Sequence, residues 1–440
     1  MKRTNIFLLS LSFFSSSCAA SSAHELHQQG IAYRDKQEFK KAIACLKQAT
    51  EKEEKPSYYF DLAYTYVMIG KTEKAVALQK KIIDIWPYTR AQLFYNIAYA
   101  YKMAGKMDDA ITYYKKTLEL KPDHRPTHFG IALAYLGNGE YEKGWEHYTV
   151  HLQGLNRNAE ALRKLIKNNN LYAKRIVLRA EGGLGDTINF IRWAFWFKQY
   201  GAHVIASVQD PLFPLLSHCY FIDELISWKK PTPPHDAQVT LISANCVCNA
   251  NEKTIPAIFP YIFPDAHLDS YWQDQLQKDT NVKVGLCWQA SVFNDSSRLP
   301  VGRRGIPLQK VLSLCSIPGT TFYSLQKCDG MEELTSACLP DNFVLFENLD
   351  ATSPFADSAA LINNLDLVIT IDSAIAHLAG ALGKKVWLLL PYQSDWRWLA
   401  NRTDSIWYPS MTLYKQPAPF DWDSVILDVQ SSLERLALRS

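Results

Sequence analysis

The 440-residue chain has almost no excess charge, with a formal net charge of +3 at pH 7, and so gives no case for nucleic-acid binding as its main task. It has no apolar run long enough to cross a membrane as a helix; the stretch Ile6 to Phe14 is too short. Its cysteines are scattered. Only Cys246-Val247-Cys248 stand close together, and no second pair follows at zinc-ligand spacing, which argues against a metal site there. Gly183-Leu184-Gly185 would open a dinucleotide fingerprint, but Ile188 occupies the place of the third glycine, and no phosphate-loop lysine follows. A nicotinamide or flavin enzyme is therefore disfavoured. What remains is an ordinary globular composition, 48% hydrophobic and 21% charged, in a chain long enough for two or three domains.

The N-terminus departs from that composition. Lys2-Arg3 precede the apolar run from Ile6 to Phe14, and small residues follow from Ser15 to Ala23. That is the layout of a secretory signal peptide, with Cys18-Ala19-Ala20 or Ser21-Ser22-Ala23 as cleavage sites. Left uncleaved, it would give a weak membrane association. Residues 1–23 are set apart from the fold on this ground.

From about residue 24 the sequence repeats with a period of about 34 residues. Aligning the loop glycines Gly70, Gly105 and Gly139 brings Ala63, Ala98 and Ala132 into register. Tyr66, Tyr101 and Tyr135 align as well, as do Ala75, Ala110 and Gly144, and then Pro87 and Pro122. A weaker first copy has Gly30, Tyr33 and Ala42, with Gln37 at the loop-glycine position. Each unit reads as two amphipathic helices that cannot bury their apolar faces alone and must stack. Small residues let the paired helices approach, and the prolines end the second helix. The array, residues 24–154, predicts an all-α superhelix whose concave face takes a protein or peptide partner. A polar, basic stretch over 155–172 reads as a linker.

Beyond it the code changes to strands alternating with helices, which predicts parallel sheets. Strands are expected at Arg175–Arg179, His203–Val208, Leu225–Trp228 and Val239–Ile242. A second set is expected at Val282–Trp288, Thr321–Leu325, Phe343–Phe346, Val368–Ile371 and Val386–Leu390. Two Rossmann-like domains follow, over 173–262 and 280–440. Ligands in such sheets bind outside the carboxyl ends of strands.

Two strand ends carry unusual turns. After the first strand, Glu181-Gly182-Gly183-Leu184-Gly185-Asp186-Thr187 lets a substrate approach the backbone at Gly183 and Gly185. Asp186 opens a helix there, either as its cap or as a base facing the cleft. Late in the second set, Val368-Ile369-Thr370-Ile371 is a buried strand that stops at Asp372-Ser373, two residues suited to a helix N-cap. The helix from Ala374 then offers free N–H groups and a dipole that favour an anion, with His377 one turn on. Arg303, Arg304 and Lys327 lie in loops after strands and could add positive charge. Asp421-Trp422-Asp423 looks like a metal-binding pair, but it precedes the last helix in the tail and is set aside. Trp396, Trp398, Trp407 and Tyr408 read as core.

Taken together, the repeats, the Glu181–Asp186 turn, Ser324-Leu325-Gln326-Lys327, Asp372–Gly380 and Asp395-Trp396-Arg397-Trp398 resemble tetratricopeptide proteins fused to a family nine glycosyltransferase domain. That family includes the ADP-heptose:lipopolysaccharide heptosyltransferases. The resemblance implies a type B glycosyltransferase fold, no essential metal or cofactor, and a nucleotide-sugar donor, ADP-linked ahead of GDP- or UDP-linked. It implies Asp186 as catalytic base. It implies donor binding by Gly183, Gly185, Thr187, Lys327, Asp372, Ser373, Ala374 and His377. The family often has glycine where Ala374 stands, and the heptosyltransferases proper lack the repeats, so lipopolysaccharide does not carry over as acceptor. The rival expectation is a repeat scaffold with a degenerate transferase domain. A cytoplasmic donor and an exported N-terminus also stand against each other.

Overall fold

A computed structural model describes residues 21–152, 157–290, 304–351 and 353–438. Of the signal-like segment 1–23, residues 1–20 lie outside them, as does the candidate Arg303; Ser22 and Ala23 already belong to the cap and start of the first helix. The chain forms two compact units, divided between Tyr66 and Val67. Along the chain the helices come as four successive pairs. They are Ala23–Asp35 with Phe39–Lys52, Pro56–Met68 with Thr72–Ile82, Arg90–Met103 with Met107–Leu120, and Arg125–Gly137 with Tyr141–Leu152.

In the first unit, Ser22 and Glu25 close a capping box on the opening helix: Glu25 N–H donates to Ser22 Oγ (3.2 Å) and Ser22 N–H to Glu25 Oε2 (2.8 Å). Gly30 sits flush against the partner helix, where a Cβ would lie 2.6 Å from Leu46 Cγ. That close approach is what the small-residue register predicts. Gln37, in the place of a loop glycine, takes the left-handed φ of 60° that the turn requires.

In the second unit, the loop glycines Gly70, Gly105 and Gly139 adopt φ of 72°, 71° and 79°, which explains why glycine recurs there. Ala98 and Ala132 are fully buried, and Tyr101 and Tyr135 fill the space between paired helices. Residues 155–172, expected as a linker, contain the helix Arg157–Lys167. Leu162, Leu165 and Ile166 share one of its faces; Leu162 is fully buried and the other two pack partly buried on the same core. The spacing of three apolar residues among lysines and arginines made an amphipathic helix look like a polar connector.

The α/β part holds two parallel sheets. The first contains β1 (Arg175–Arg179), β2 (His203–Val208), β3 (Glu224–Ser227) and β4 (Ala237–Thr240) in the order β3-β2-β1-β4. The second contains β5 (Val282–Cys287), β6 (Thr320–Ser324), β7 (Phe343–Val344), β8 (Leu367–Ile371), β9 (Val386–Leu390) and β10 (Met411–Lys415) in the order β10-β9-β8-β5-β6-β7. β8 and β9 are buried along their whole length, as continuous β-branched and leucine runs require in a parallel sheet. Three expectations need correction. The fourth strand stops at Thr240, because Leu241–Val247 turns helical. β7 has only two residues. The edge strand β10 escaped notice, because Met411-Thr412-Leu413 alternates buried and exposed and lacks a long apolar run.

Within the second unit, the third and fourth helix pairs are not a detached module. Trp145 Nε1 donates to the Ala250 carbonyl (2.7 Å), Tyr392 OH to that of Ala104 (3.1 Å), and Ala400 N–H to that of Gly137 (3.0 Å). Leu136, Trp145 and Tyr148 belong to the same apolar core as Ile176 and Leu178 of β1. The third and fourth helix pairs and both sheets therefore form one body.

Candidate functional site

β1 and β8 each neighbour a strand across which the chain order reverses, β4 and β5 respectively. Both carboxyl ends are thus switch points, where open α/β sheets place ligands. After β1 the chain passes Gly182 at φ +77°. A Cβ there would sit 2.5 Å from Asp186 Oδ2, so only glycine fits the turn. Asp186 stands in the first turn of the helix Leu184–Phe190, and its Oδ2 accepts the Gly183 N–H at 2.8 Å. Its Oδ1 takes an ion-paired hydrogen bond from Arg397. The Asp186 side chain remains 26% exposed.

After β8, Ser373 is the N-cap of the helix Ala374–Ala381, with extended backbone (φ −145°, ψ 175°). Its hydroxyl lies 3.3 Å from Thr370 Oγ1 and 3.8 Å from Cys287 Sγ. Asp372 is nearly buried. Burial pushes its carboxyl above the usual carboxylate range, and Arg304 opposes the shift only in part. Arg304 Nη1 donates to the Asp372 carbonyl (2.9 Å), and the same nitrogen lies 3.9 Å from the carboxylate Oδ2. His377 is 4% exposed. Its Nδ1 meets Tyr408 OH at 2.9 Å, its ring stacks on Trp398, and Asp372 Oδ1 lies 3.8 Å from its Nε2. Burial, and then the charges of Arg397, Arg192 and Arg304, hold the imidazole well below its ordinary pKa, so it is neutral at pH 7.

The two turns touch. A Cβ on Gly185 would fall 2.9 Å from His377 Cδ2 and 3.2 Å from Ala374 Cα. Gly185 is therefore the point at which one helix start lies against the other, and a side chain there would part them. Arg397 ties them from above. It is 8% exposed, pairs with Asp395 (2.7 Å) and Asp186, and lies over the rings of Phe190 and Trp396. Burial alone would lower its pKa. The carboxylates of Asp395, Asp186 and Asp372 outweigh that and raise it.

A cavity of about 390 Å³ opens on this cluster. Asp186, Asp372, Arg304, Asp395 and Arg397 line one part of its wall. Tyr99, Lys102, Phe129 and Tyr148, all from the third and fourth helix pairs, line another. Of the residues expected to bind donor, Asp372 thus shares the cavity with Asp186. Gly183, Gly185, Ser373 and Ala374 form the turns behind it. Three expectations change. Thr187 is fully buried and its hydroxyl donates to Gln209 Oε1 (2.8 Å), so its side chain is a core contact. His377 lies beneath the wall and braces it from behind. Lys327 donates to the Leu349 carbonyl and is not among the lining residues. Trp398, Trp407 and Tyr408 are core, as expected, whereas Trp396 reaches the cavity. Asp421 caps the last helix by accepting the Ser424 N–H (3.1 Å), and Asp423 pairs with Lys310. Among the described residues no group of three or more His, Cys, Asp or Glu could hold a metal ion.

Arg397, Asp395 and the repeat residues had not been assigned to the site. A signal for the first two existed: Asp395-Trp396-Arg397-Trp398 follows the buried strand β9 and puts two charges between tryptophans. No signal in the repeats marked Tyr99 or Lys102, which occupy ordinary helix positions.

Residues 27–88 and 91–124 match tetratricopeptide repeat models, and the N-terminal helix pairs are such repeats. Protein FlbA of Caulobacter vibrioides is 24% identical over 336 residues, covering 70% of this chain and 55% of that protein. The chain thus spans little more than half the length of this relative. A crystal structure of a family 9 glycosyl transferase from Veillonella parvula overlays on 61% of this chain and 99% of its own, with a TM-score of 0.43 at 13% identity. A crystal structure of MamA covers 30% of this chain and 77% of its own, with a TM-score of 0.27 at 25% identity.

Proposed function

We propose that the protein is a glycosyltransferase that moves a sugar from a nucleotide-sugar donor to an acceptor hydroxyl. One observation carries this reading: Asp186 and Asp372, delivered by turns of two different sheets, line one cavity together with Arg304 and Arg397. The donor diphosphate would lie at the start of the helix Ala374–Ala381, where backbone N–H groups and Arg304 supply positive potential without a metal ion. The raised pKa of Asp372 lessens the repulsion a carboxylate would otherwise offer a diphosphate. As the bond between the anomeric carbon and the leaving phosphate oxygen breaks, charge grows on the diphosphate and is met by these groups. The acceptor oxygen forms the new bond, and Asp186 takes its proton. An ADP-linked donor is the first choice, on the sequence resemblance, and the repeats would recruit the acceptor or a protein partner.

A second reading has its own observation. Both Asp186 oxygens are already engaged, by the Gly183 N–H and by Arg397. On that reading Asp186 is a structural ion pair, and the chain is a repeat scaffold whose transferase part does not turn over. A thermal-shift screen against ADP-, GDP- and UDP-linked sugars separates the two. Stabilisation by one of them, lost in Arg304→Ala, is the expected result. No stabilisation by any donor would leave the scaffold.

A further inference from the structure

The cavity has two walls of different origin. One belongs to the strand ends and holds Asp186, Asp372, Arg304 and Arg397. The other is made by the third and fourth tetratricopeptide pairs, and it carries rings from Tyr99, Phe129 and Tyr148 together with the ammonium of Lys102. In the strand-end wall the charges are matched to one another. Arg397 is shared between Asp186 and Asp395, and Arg304 stands at Asp372. Lys102 has no such match. Among the described residues its Nζ makes no hydrogen bond; it lies 5.5 Å from the centre of the Tyr99 ring. Lys415 enters the same cavity from β10 with a single long bond, 3.4 Å to the Ala400 carbonyl.

We propose that this repeat wall is the acceptor subsite, and that it takes a hydroxyl compound bearing a carboxylate or phosphate, with Lys102 as the counter-ion. This assignment rests on the glycosyltransferase reading. An ammonium set into a cavity without an acceptor has lost water and gained little, a deficit that a bound anion makes good. Burial lowers the pKa of both Lys102 and Lys415, and only Asp395 opposes it at Lys102, which agrees with cations awaiting a partner. Met107 and Leu133, from the same helix pairs, give the acceptor's carbon skeleton apolar surface in the same cavity. The donor has its own cations at the strand ends and does not need Lys102. The repeats thus act as part of the active site, and not only as a tether that raises local acceptor concentration.

Matched pairs of small hydroxyl compounds that differ in one anionic group test this. Glycerol is compared with glycerol 3-phosphate, and methyl glucoside with methyl glucuronide. Melting temperature of the full chain is read with the nucleoside diphosphate of the best-stabilising donor present in excess, or without it if no donor binds. The anionic member of each pair should stabilise the protein and the neutral member should not. The shift should vanish in Lys102→Met and persist in Lys102→Arg, while the nucleotide-sugar shift stays unchanged in both. Two results would overturn the proposal: no shift with either anion, or a shift that survives Lys102→Met, including one that Arg304→Ala abolishes. The last would place the phosphate at the donor end. Failure of the donor screen alone would sink the transferase reading while the Lys102-dependent shift still reported on the anion subsite.

Discussion

The turns after β1 and β8 are built alike and end differently. In each, a buried parallel strand delivers an aspartate to the start of a helix. Asp186 stays 26% exposed on its side chain and is fastened by Arg397, from the turn after β9. The Asp372 side chain keeps only 11% exposure, and behind it sits a neutral histidine. The difference comes from what lies over each turn. Gly182 and Gly183 put no side chain over Asp186, whereas Trp398 and Tyr408 close around His377 behind the second turn. On the proposed function, one topology then serves two ends: a more exposed carboxylate for proton transfer and, beside a more buried one, a helix start for the donor diphosphate.

The sharpest way to break this comparison is at Asp186. Asp186→Asn keeps the size of the side chain but leaves one acceptor for two donors, the Gly183 N–H and Arg397, and removes the proton acceptor of the proposed reaction. Turnover should fall on the order of 10²–10⁴-fold while nucleotide-sugar stabilisation is kept. Unchanged turnover would make Asp186 a structural ion pair. Next comes the arginine that joins them. Arg397→Ala leaves Asp186 and Asp395 facing each other without their shared cation, and should cost about 3 kcal/mol in urea denaturation. Arg397→Lys should restore little of this, because a point charge cannot serve both carboxylates in the guanidinium geometry.

Gly185→Ala probes the contact between the turns themselves. Its Cβ would meet His377 and Ala374, and the strain should cost about 1–3 kcal/mol of stability. A neutral result would mean that the helix starts separate at no cost. The smallest effect is expected at His377. Its folded pKa lies below the ordinary 6.5, so the unfolded chain binds this proton first as the pH falls. Its contribution to stability is complete above pH 6.5 and is lost below it, with a slope of at most about 1.4 kcal/mol per pH unit. His377→Gln should therefore flatten the acid limb of a stability–pH curve. A limb of unchanged slope would show that His377 is not held neutral.

Much of this protein is legible in one dimension. The repeat period, the loop glycines with positive φ, seven of the nine predicted strands to within a residue of their predicted ends, and both special turns follow from local rules. Periodicity, caps and glycine placement act within a few residues of where they are written. What sequence could not decide is what depends on distant parts of the chain. The basic stretch after residue 156 is a docked helix because Leu162 finds a core. Thr187 and His377 are inward-facing because Gln209 and Tyr408 lie beside them in space. Asp186 and Asp372 share a cavity only because Gly185 lets two helix starts meet and Arg397 spans them. The repeats enter that cavity through Tyr99 and Lys102, residues whose meaning lies in what faces them across 300 positions of chain. Local pattern set the elements and their turns. Burial, ion pairing and the closing of one wall on another are pairwise in space, and the folded structure alone decided them.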